Sequence, residues 1–92
     1  MSKVERMTPG DRVRKMTETL GGIFRVSQRD VPHVVVELGN EQRASVCYFG
    51  RTQTWRVFFP YMQFQEQTKT NHASVGEVVV RIEELRKQVA AG

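Results

Sequence analysis

The sequence predicts an α+β fold: a helix, a three- to four-stranded antiparallel β-meander and a second helix, with both helices on one face of the sheet. Three observations predict it. Apolar residues recur at helical spacing near each end of the 92-residue chain, they alternate with a period of two between residues 23 and 59, and short turn-like segments separate the alternating runs. A chain of this length corresponds to a single domain, residues 1–92, in which we expect residues 1–7 to be flexible.

The first helix is predicted over residues 9–20. Thr8 suits the N-cap, Pro9 suits the first helical position, and Asp11 completes a near capping box at the positive end of the helix dipole. The pair Gly21–Gly22 supplies a left-handed residue of the kind that ends many helices. The residues expected on the buried side of this helix are Val13, Met16 and Leu20.

Residues 10–15 also allow a second interpretation. The run Gly-Asp-Arg-Val-Arg-Lys resembles the first strand of small SH3-like barrels, including the plasmid-borne type II dihydrofolate reductases. The resemblance implies a small barrel followed by a C-terminal helix as the alternative fold. It implies no reductase activity, since the Val-Gln-Ile-Tyr motif of those enzymes does not occur in this sequence.

The middle of the chain alternates in the manner of strands joined by tight connections. Gly, Asn, Pro and polar residues separate the runs, and Pro60 ends the last clear one. Residues 61–64 could extend the meander, and residues 65–71 are predicted to be a loop. The predicted strands are Ile23–Gln28, His33–Leu38, Ala44–Phe49 and Thr54–Phe59.

The second helix is predicted over residues 75–90. Ser74 and Glu77 match the Ser-x-x-Glu capping box. A broad apolar stripe follows at helical spacing, formed by Val75, Val78, Val79, Ile82, Leu85 and Val89.

The motifs of common enzymes and metal sites do not occur in the sequence. There is no phosphate-binding loop, no Gly-x-Ser-x-Gly, no Cys-x-x-Cys and no His-x-x-x-His. The single cysteine, Cys47, lies in a predicted strand and is expected to be a buried apolar side chain, with His33 and His72 too scattered to suggest a base or a metal ligand. We therefore expect no catalysis, no metal and no cofactor.

Charge is unevenly distributed along the chain. The net charge is +4, and residues 1–56 hold ten basic and six acidic residues, whereas residues 57–92 hold four of each. Arginine outnumbers lysine ten to four, which suits bidentate recognition of phosphate or carboxylate groups but also fits a GC-rich genome. No apolar run reaches the length of a membrane span and no signal peptide is recognisable, so we expect a cytoplasmic protein that does not bind membranes.

Strand alternation assigns the side chains of the sheet to two faces. The face expected under the helices carries Phe24, Val26, Val34, Val36, Leu38, Val46, Tyr48, Trp55, Val57 and Phe59. The opposite face mixes arginines with apolar groups and carries Ile23, Arg25, His33, Val35, Glu37, Ser45, Cys47, Phe49, Arg56 and Phe58. An uncovered antiparallel face is normally polar. The mixed face could bind nucleic acid, pair with another protein or a second copy of the chain, or be covered by the chain itself.

The order helix, three strands, helix is also that of double-stranded-RNA-binding domains. The lysine cluster that those domains place at the start of their second helix is missing here, where Asn71–Ser74 has only Lys69 nearby.

These observations favour a small basic binding protein that is not an enzyme. Its size and character are typical of phage- or mobile-element-encoded accessory proteins and inhibitors, which dock on a larger host protein or protein–nucleic-acid complex. The alternative is direct binding of RNA or DNA, and a homodimer is a further option. Aromatic anchors would come from Tyr48, Phe49, Trp55 and Phe58. The predicted contact residues are Arg12, Arg14, Lys15, Arg25, Arg43, Phe49, Arg51, Arg56 and Phe58.

Overall fold

The computed structural model describes residues 8–61 and 67–92, which form two helices and a five-stranded antiparallel sheet. In chain order the elements are α1 (Pro9–Leu20), β1 (Ile23–Val26), β2 (Pro32–Gly39), β3 (Gln42–Phe49), β4 (Thr54–Phe59), β5 (Thr68–His72) and α2 (Val75–Ala91). The expectation for residues 1–7 lies outside the described ranges. So does the proposed extension over residues 61–64, apart from Tyr61, which follows β4 and belongs to no strand.

The first helix begins at a reciprocal cap. The Asp11 amide donates to Thr8 Oγ1 at 3.1 Å, and the Thr8 amide donates to Asp11 Oδ2 at 3.3 Å, so two otherwise unpaired amides are satisfied. The helix ends at Gly21, whose φ of 69° is left-handed. Residues 10–15 are therefore helical, and the strand predicted there by the SH3-like alternative is wrong.

The sheet is an open meander in the order β1-β2-β3-β4-β5, each strand antiparallel to its neighbours. The four predicted strands are confirmed with ends within two residues of those expected. The prediction of three to four strands is wrong, because the described residues include β5, which occupies much of the predicted loop 65–71. The sequence of β5, Thr-Lys-Thr-Asn-His, has no apolar alternation from which a strand could be predicted. As an edge strand, β5 is held by backbone pairing with β4.

The core is one buried cluster that joins both helices to alternate residues of the sheet. Phe24, Tyr48 and Phe59 pack against this cluster. Its helical members are Val13, Met16, Leu20, Val78, Ile82, Leu85 and Val89, and its strand members are Val34, Val36, Leu38, Ala44, Val46, Trp55 and Val57. Because successive strand residues point to opposite sides of a sheet, the residues between these strand members belong to the other face, which we call the second face.

The junction between α1 and β1 is packed too closely to admit a side chain. A β-carbon at Gly22 would lie 2.6 Å from both Val34 Cγ1 and the carbonyl oxygen of Val35. The Val35 oxygen is backbone within β2 and cannot move aside without disturbing the strand. Glycine at this position therefore sets how near the end of α1 approaches the sheet.

We predict opposite effects of the same substitution at two glycines. Gly22→Ala should lower the free energy of unfolding by about 1–3 kcal/mol, because the new methyl group overlaps β2. Gly76→Ala, in the first turn of α2 where the nearest atom is 3.9 Å away, should raise it by up to about 1 kcal/mol. Urea denaturation of both variants measures the difference, and a neutral Gly22→Ala would contradict the packing described for the junction.

Candidate binding surface

The second face contains a row of side chains that crosses the sheet from β1 to β5. The strand registers align Ile23 with Val35, Val35 with Ser45, Ser45 with Phe58, and Phe58 with Lys69. A neighbouring row on the same face aligns Cys47, Arg56 and Asn71. These registers place residues that lie up to 46 positions apart in the chain, Ile23 and Lys69, in one row.

Arg56 is held in place by two neighbours on this face. Its guanidinium carbon lies 4.5 Å from the centre of the Phe49 ring, and its Nε donates to Asn71 Oδ1 at 2.9 Å. A cation over an aromatic ring is attracted by the negative charge on the ring face. The ring contact and the hydrogen bond together restrain the guanidinium, so Arg56 is positioned before any ligand arrives.

The floor of the second face is buried although no core-cluster residue lies on it. Val35, Ser45 and Cys47 are 5–7% exposed. Larger side chains at neighbouring positions remain accessible: Arg56 and Phe58 are half-buried and Phe49 is exposed. The face is therefore a buried floor of small side chains, Val35, Ser45 and Cys47, below a more accessible layer of aromatic and basic ones.

Tyr61 adds another aromatic group beside β2. Its amide donates to the carbonyl oxygen of Arg43 at 2.8 Å, its hydroxyl lies 3.4 Å from His33 Nε2, and the two rings are 5.8 Å apart. His33 pairs with Arg25 across β1 and β2, so its side chain belongs to the second face. The chain leaving β4 thus places an exposed tyrosine at this surface.

The charge of the second face is one-sided. Among the described residues it carries four basic side chains and one acidic one, a net of three positive charges. The acid, Glu37, accepts a hydrogen bond from Arg43 Nε at 2.9 Å, so it is already paired. The remaining basic residues are Arg25 on one edge strand, Arg56 on β4 and Lys69 on the other edge strand.

The structure divides the predicted contact residues between two sides of the molecule. Arg25, Arg43, Phe49, Arg56 and Phe58 share the second face. Arg51 lies in the turn between β3 and β4, where it is exposed.

The basic residues of α1 lie on the side of the core cluster and do not join this surface. The Arg12 guanidinium lies 4.9 Å from the Tyr48 ring centre and that of Arg14 lies 4.2 Å from the Phe24 ring centre, and both rings pack against the core. Arg12 and Lys15 also border a groove of about 200 Å³ next to Trp55. The predicted set therefore does not form one continuous patch.

Two of the expected aromatic anchors, Tyr48 and Trp55, pack in or against the core and do not lie on the second face. Trp55 is 4% exposed, and the Tyr48 ring packs edge-on against it with a centroid distance of 4.8 Å. The reason is strand alternation, which sends Tyr48 and Trp55 to one side and their neighbours Phe49 and Arg56 to the other. Phe49 and Phe58 remain as accessible aromatic groups.

Sequence reasoning missed Lys69, Asn71 and Tyr61 as members of the surface. Lys69 and Asn71 reach it only because β5 is a strand. Their alternation with Thr68 and Thr70, which are β-branched, was the one signal available for it. Nothing in the sequence around Tyr61 indicates its approach to His33, which lies 28 positions away.

Cys47 lies in the floor, opposite Arg56 across β3 and β4, and is not a prepared nucleophile. Burial raises the pKa of its thiol from 9.0 to about 11, and the charge of Arg56 opposes this only in part. A thiolate is the nucleophilic form, so burial works against reactivity at neutral pH. Across residues 8–61 and 67–92, no group of three His, Cys, Asp or Glu side chains comes together as metal ligands would.

No family model, curated protein or solved structure matches this chain. Neither described helix has the combination of length and apolar composition needed to cross a bilayer.

We predict slow alkylation of Cys47 in the native protein. A pKa raised from 9.0 to about 11 leaves about a hundredfold less thiolate at any pH well below 9, and limited access slows the reaction further. Iodoacetamide labelling followed by mass spectrometry should show this difference between native protein and protein unfolded in urea. The native rate should keep rising with pH beyond the point where the unfolded rate levels off, and equal rates in both states would contradict the burial of Cys47.

We also predict that Arg14 contributes to stability through Phe24. Arg14→Ala removes the cation from the ring and should lower the free energy of unfolding by about 0.5–1 kcal/mol. Arg51→Ala removes the same charge from an exposed turn and should change it by less than about 0.5 kcal/mol. Chemical denaturation of both variants tests the assignment, which fails if the two changes are equal.

Proposed function

We propose that this chain is a binding protein without catalytic activity, and that it docks on a larger protein or protein–nucleic-acid complex through the second face of its sheet. The observation that carries the proposal is the combination of accessible aromatic groups with a net of three positive charges on that face. Cytoplasmic accessory proteins and inhibitors of phages and mobile elements are the functional class that its size and basic character suggest.

We infer that both helices cover one face of the sheet and leave the second face to solvent. Support comes from the core cluster, in which apolar residues of α1 and α2 share the same alternate strand residues. An antiparallel face that meets only water normally carries polar residues. This one carries Ile23, Phe49 and Phe58, and accessible apolar groups of this kind mark interfaces more often than plain surface.

The sign of the charge determines what kind of partner fits. Arg25, Arg56 and Lys69 have no acidic partner among the described residues, so the face attracts a negatively charged surface. Complementary charge speeds association and suppresses wrong partners. The same charge disfavours pairing of this face with a second copy of itself, because two faces of equal positive charge repel each other.

Phe58 is the best placed anchor for such a partner. It is the fourth of the five residues in the row from Ile23 to Lys69, half-buried opposite Ser45, with Lys69 beside it on β5. Binding energy at interfaces is concentrated in a few residues, among which aromatic groups and arginine are enriched. Phe58 together with Arg56 provides such a pair on adjacent positions of one face.

We predict that a photo-crosslinker at position 58 captures the partner. A benzoylphenylalanine in place of Phe58 keeps the aromatic character of the site, and the same residue in place of Val80, which is 56% exposed on α2, serves as the matched control. Irradiation in extract from cells that express the protein should give a defined crosslinked species from position 58 only. Crosslinking of the same species from position 80, or none from position 58, would contradict docking through the second face.

A further inference from the structure

We infer that the component contacted by the second face is a single-stranded nucleic acid. This rests on the proposed function, since it assigns a partner to the same surface. The argument combines three features of the face: a preoriented stacking group, basic residues spread over the width of the sheet, and aromatic rings next to them.

Arg56 is the stacking group. Its guanidinium carbon lies over the Phe49 ring, 4.5 Å from the ring centre, and the hydrogen bond to Asn71 restrains the group further. A base can stack on the opposite face of a guanidinium, as single-stranded bases do on arginine planes and aromatic rings. The charge of Arg56 then lies beside the stacked base, within reach of the phosphate attached to it.

Basic residues continue the path toward both edges of the sheet. Arg25 lies on β1 and Lys69 on β5, the two edge strands, and Arg56 lies on β4 between them. Four inter-strand spacings of about 4.8 Å make this path roughly 19 Å long. That length suits a short run of nucleotides, toward the low end of the about 4–16 nucleotides covered by a small single-strand-binding domain.

Aromatic rings border this path. Phe58 lies two residues beyond Arg56 on the same face, while the exposed Tyr61 and the half-buried His33 form a pair beside β2. Stacking of bases on aromatic rings tolerates any sequence, because every base has a π-face. An acidic protein surface would satisfy the charges, but a single strand also supplies a flat base next to each phosphate, matching flat groups that alternate with basic ones.

A duplex fits this surface less well than a single strand. Bases inside a duplex are stacked on one another and cannot lie on Arg56 or Phe58. Duplex-binding proteins present a helix or ribbon to a groove, or a cluster of basic residues to the backbones across it. The start of α2 offers no such cluster: Ser74 and Glu77 cap it and the Glu77 carboxylate accepts from the Ala73 amide at 3.1 Å.

The test is a titration of labelled oligo(dT) and oligo(rU) of about 12 nucleotides, and of a duplex of equal length, followed by fluorescence anisotropy. Both single strands should bind more tightly than the duplex at about 50 mM salt. With three phosphates neutralised at about 0.7 released ions each, affinity should fall roughly 20-fold between about 50 and about 200 mM salt.

Matched variants separate charge from stacking. Lys69→Glu should weaken single-strand binding and flatten its salt dependence by at least about 0.7 in the logarithmic slope, whereas Lys87→Glu, the same change on an exposed site of α2, should leave both unchanged. Arg56→Lys keeps the charge but loses the plane, so it should weaken binding at least about fivefold with little change in slope. Thermal denaturation checks that each variant is folded. Lys69 is exposed on an edge strand, so the Lys69→Glu variant still tests single-strand binding by the second face even if Arg56→Lys does not fold.

Absence of single-strand binding at about 50 mM salt, preference for the duplex, or equal effects of Lys69→Glu and Lys87→Glu would overturn the inference. If the crosslinker at position 58 still captures a protein from nuclease-treated extract, the proposed function stands and the partner is a protein. If position 58 captures nothing and no strand binds, both proposals fail together.

Discussion

The burial of two helical stripes against alternate residues of the strands is the constraint on which the rest of this structure depends. Once Val36, Val46 and Val57 are committed to the core, every neighbouring strand residue must point the other way. The composition of the second face is therefore not independent of the core. Arg56 and Phe58 reach that surface because Val57, between them, is 1% exposed and packed in the core.

This constraint explains how much of the fold could be predicted. The helices and the first four strands carry apolar periodicities that reflect what they bury, and caps such as Thr8 with Asp11 mark where helices begin. β5 contributes no residue to the core cluster, so the signal that reveals the other strands is missing from it. It forms through pairing with β4 and through its short connection to α2, both of which become visible only in three dimensions.

The candidate surface, like the fold, could be predicted only in part from the sequence. Alternation placed Arg25, Phe49, Arg56 and Phe58 together correctly, because side-chain direction within a strand follows from position alone. It could not place the basic residues of α1, whose companions are Tyr48 and Phe24 rather than the sheet arginines. The charges of Arg12 and Arg14 are evident from the sequence, but the aromatic rings that hold them are set by the tertiary packing.

The separation of core residues on one face of the sheet from accessible residues on the other affects how the sequence can change in evolution. Phe49, Arg56, Phe58 and Lys69 contribute no side chain to the core cluster, and two of the residues between them, Trp55 and Val57, do. Codons for the second face and codons for the core are thus interleaved one by one along the same strands. Residues of the second face can therefore change in evolution without unfolding the protein. An insertion of one residue within β4 would instead move each following side chain of the strand to the opposite face.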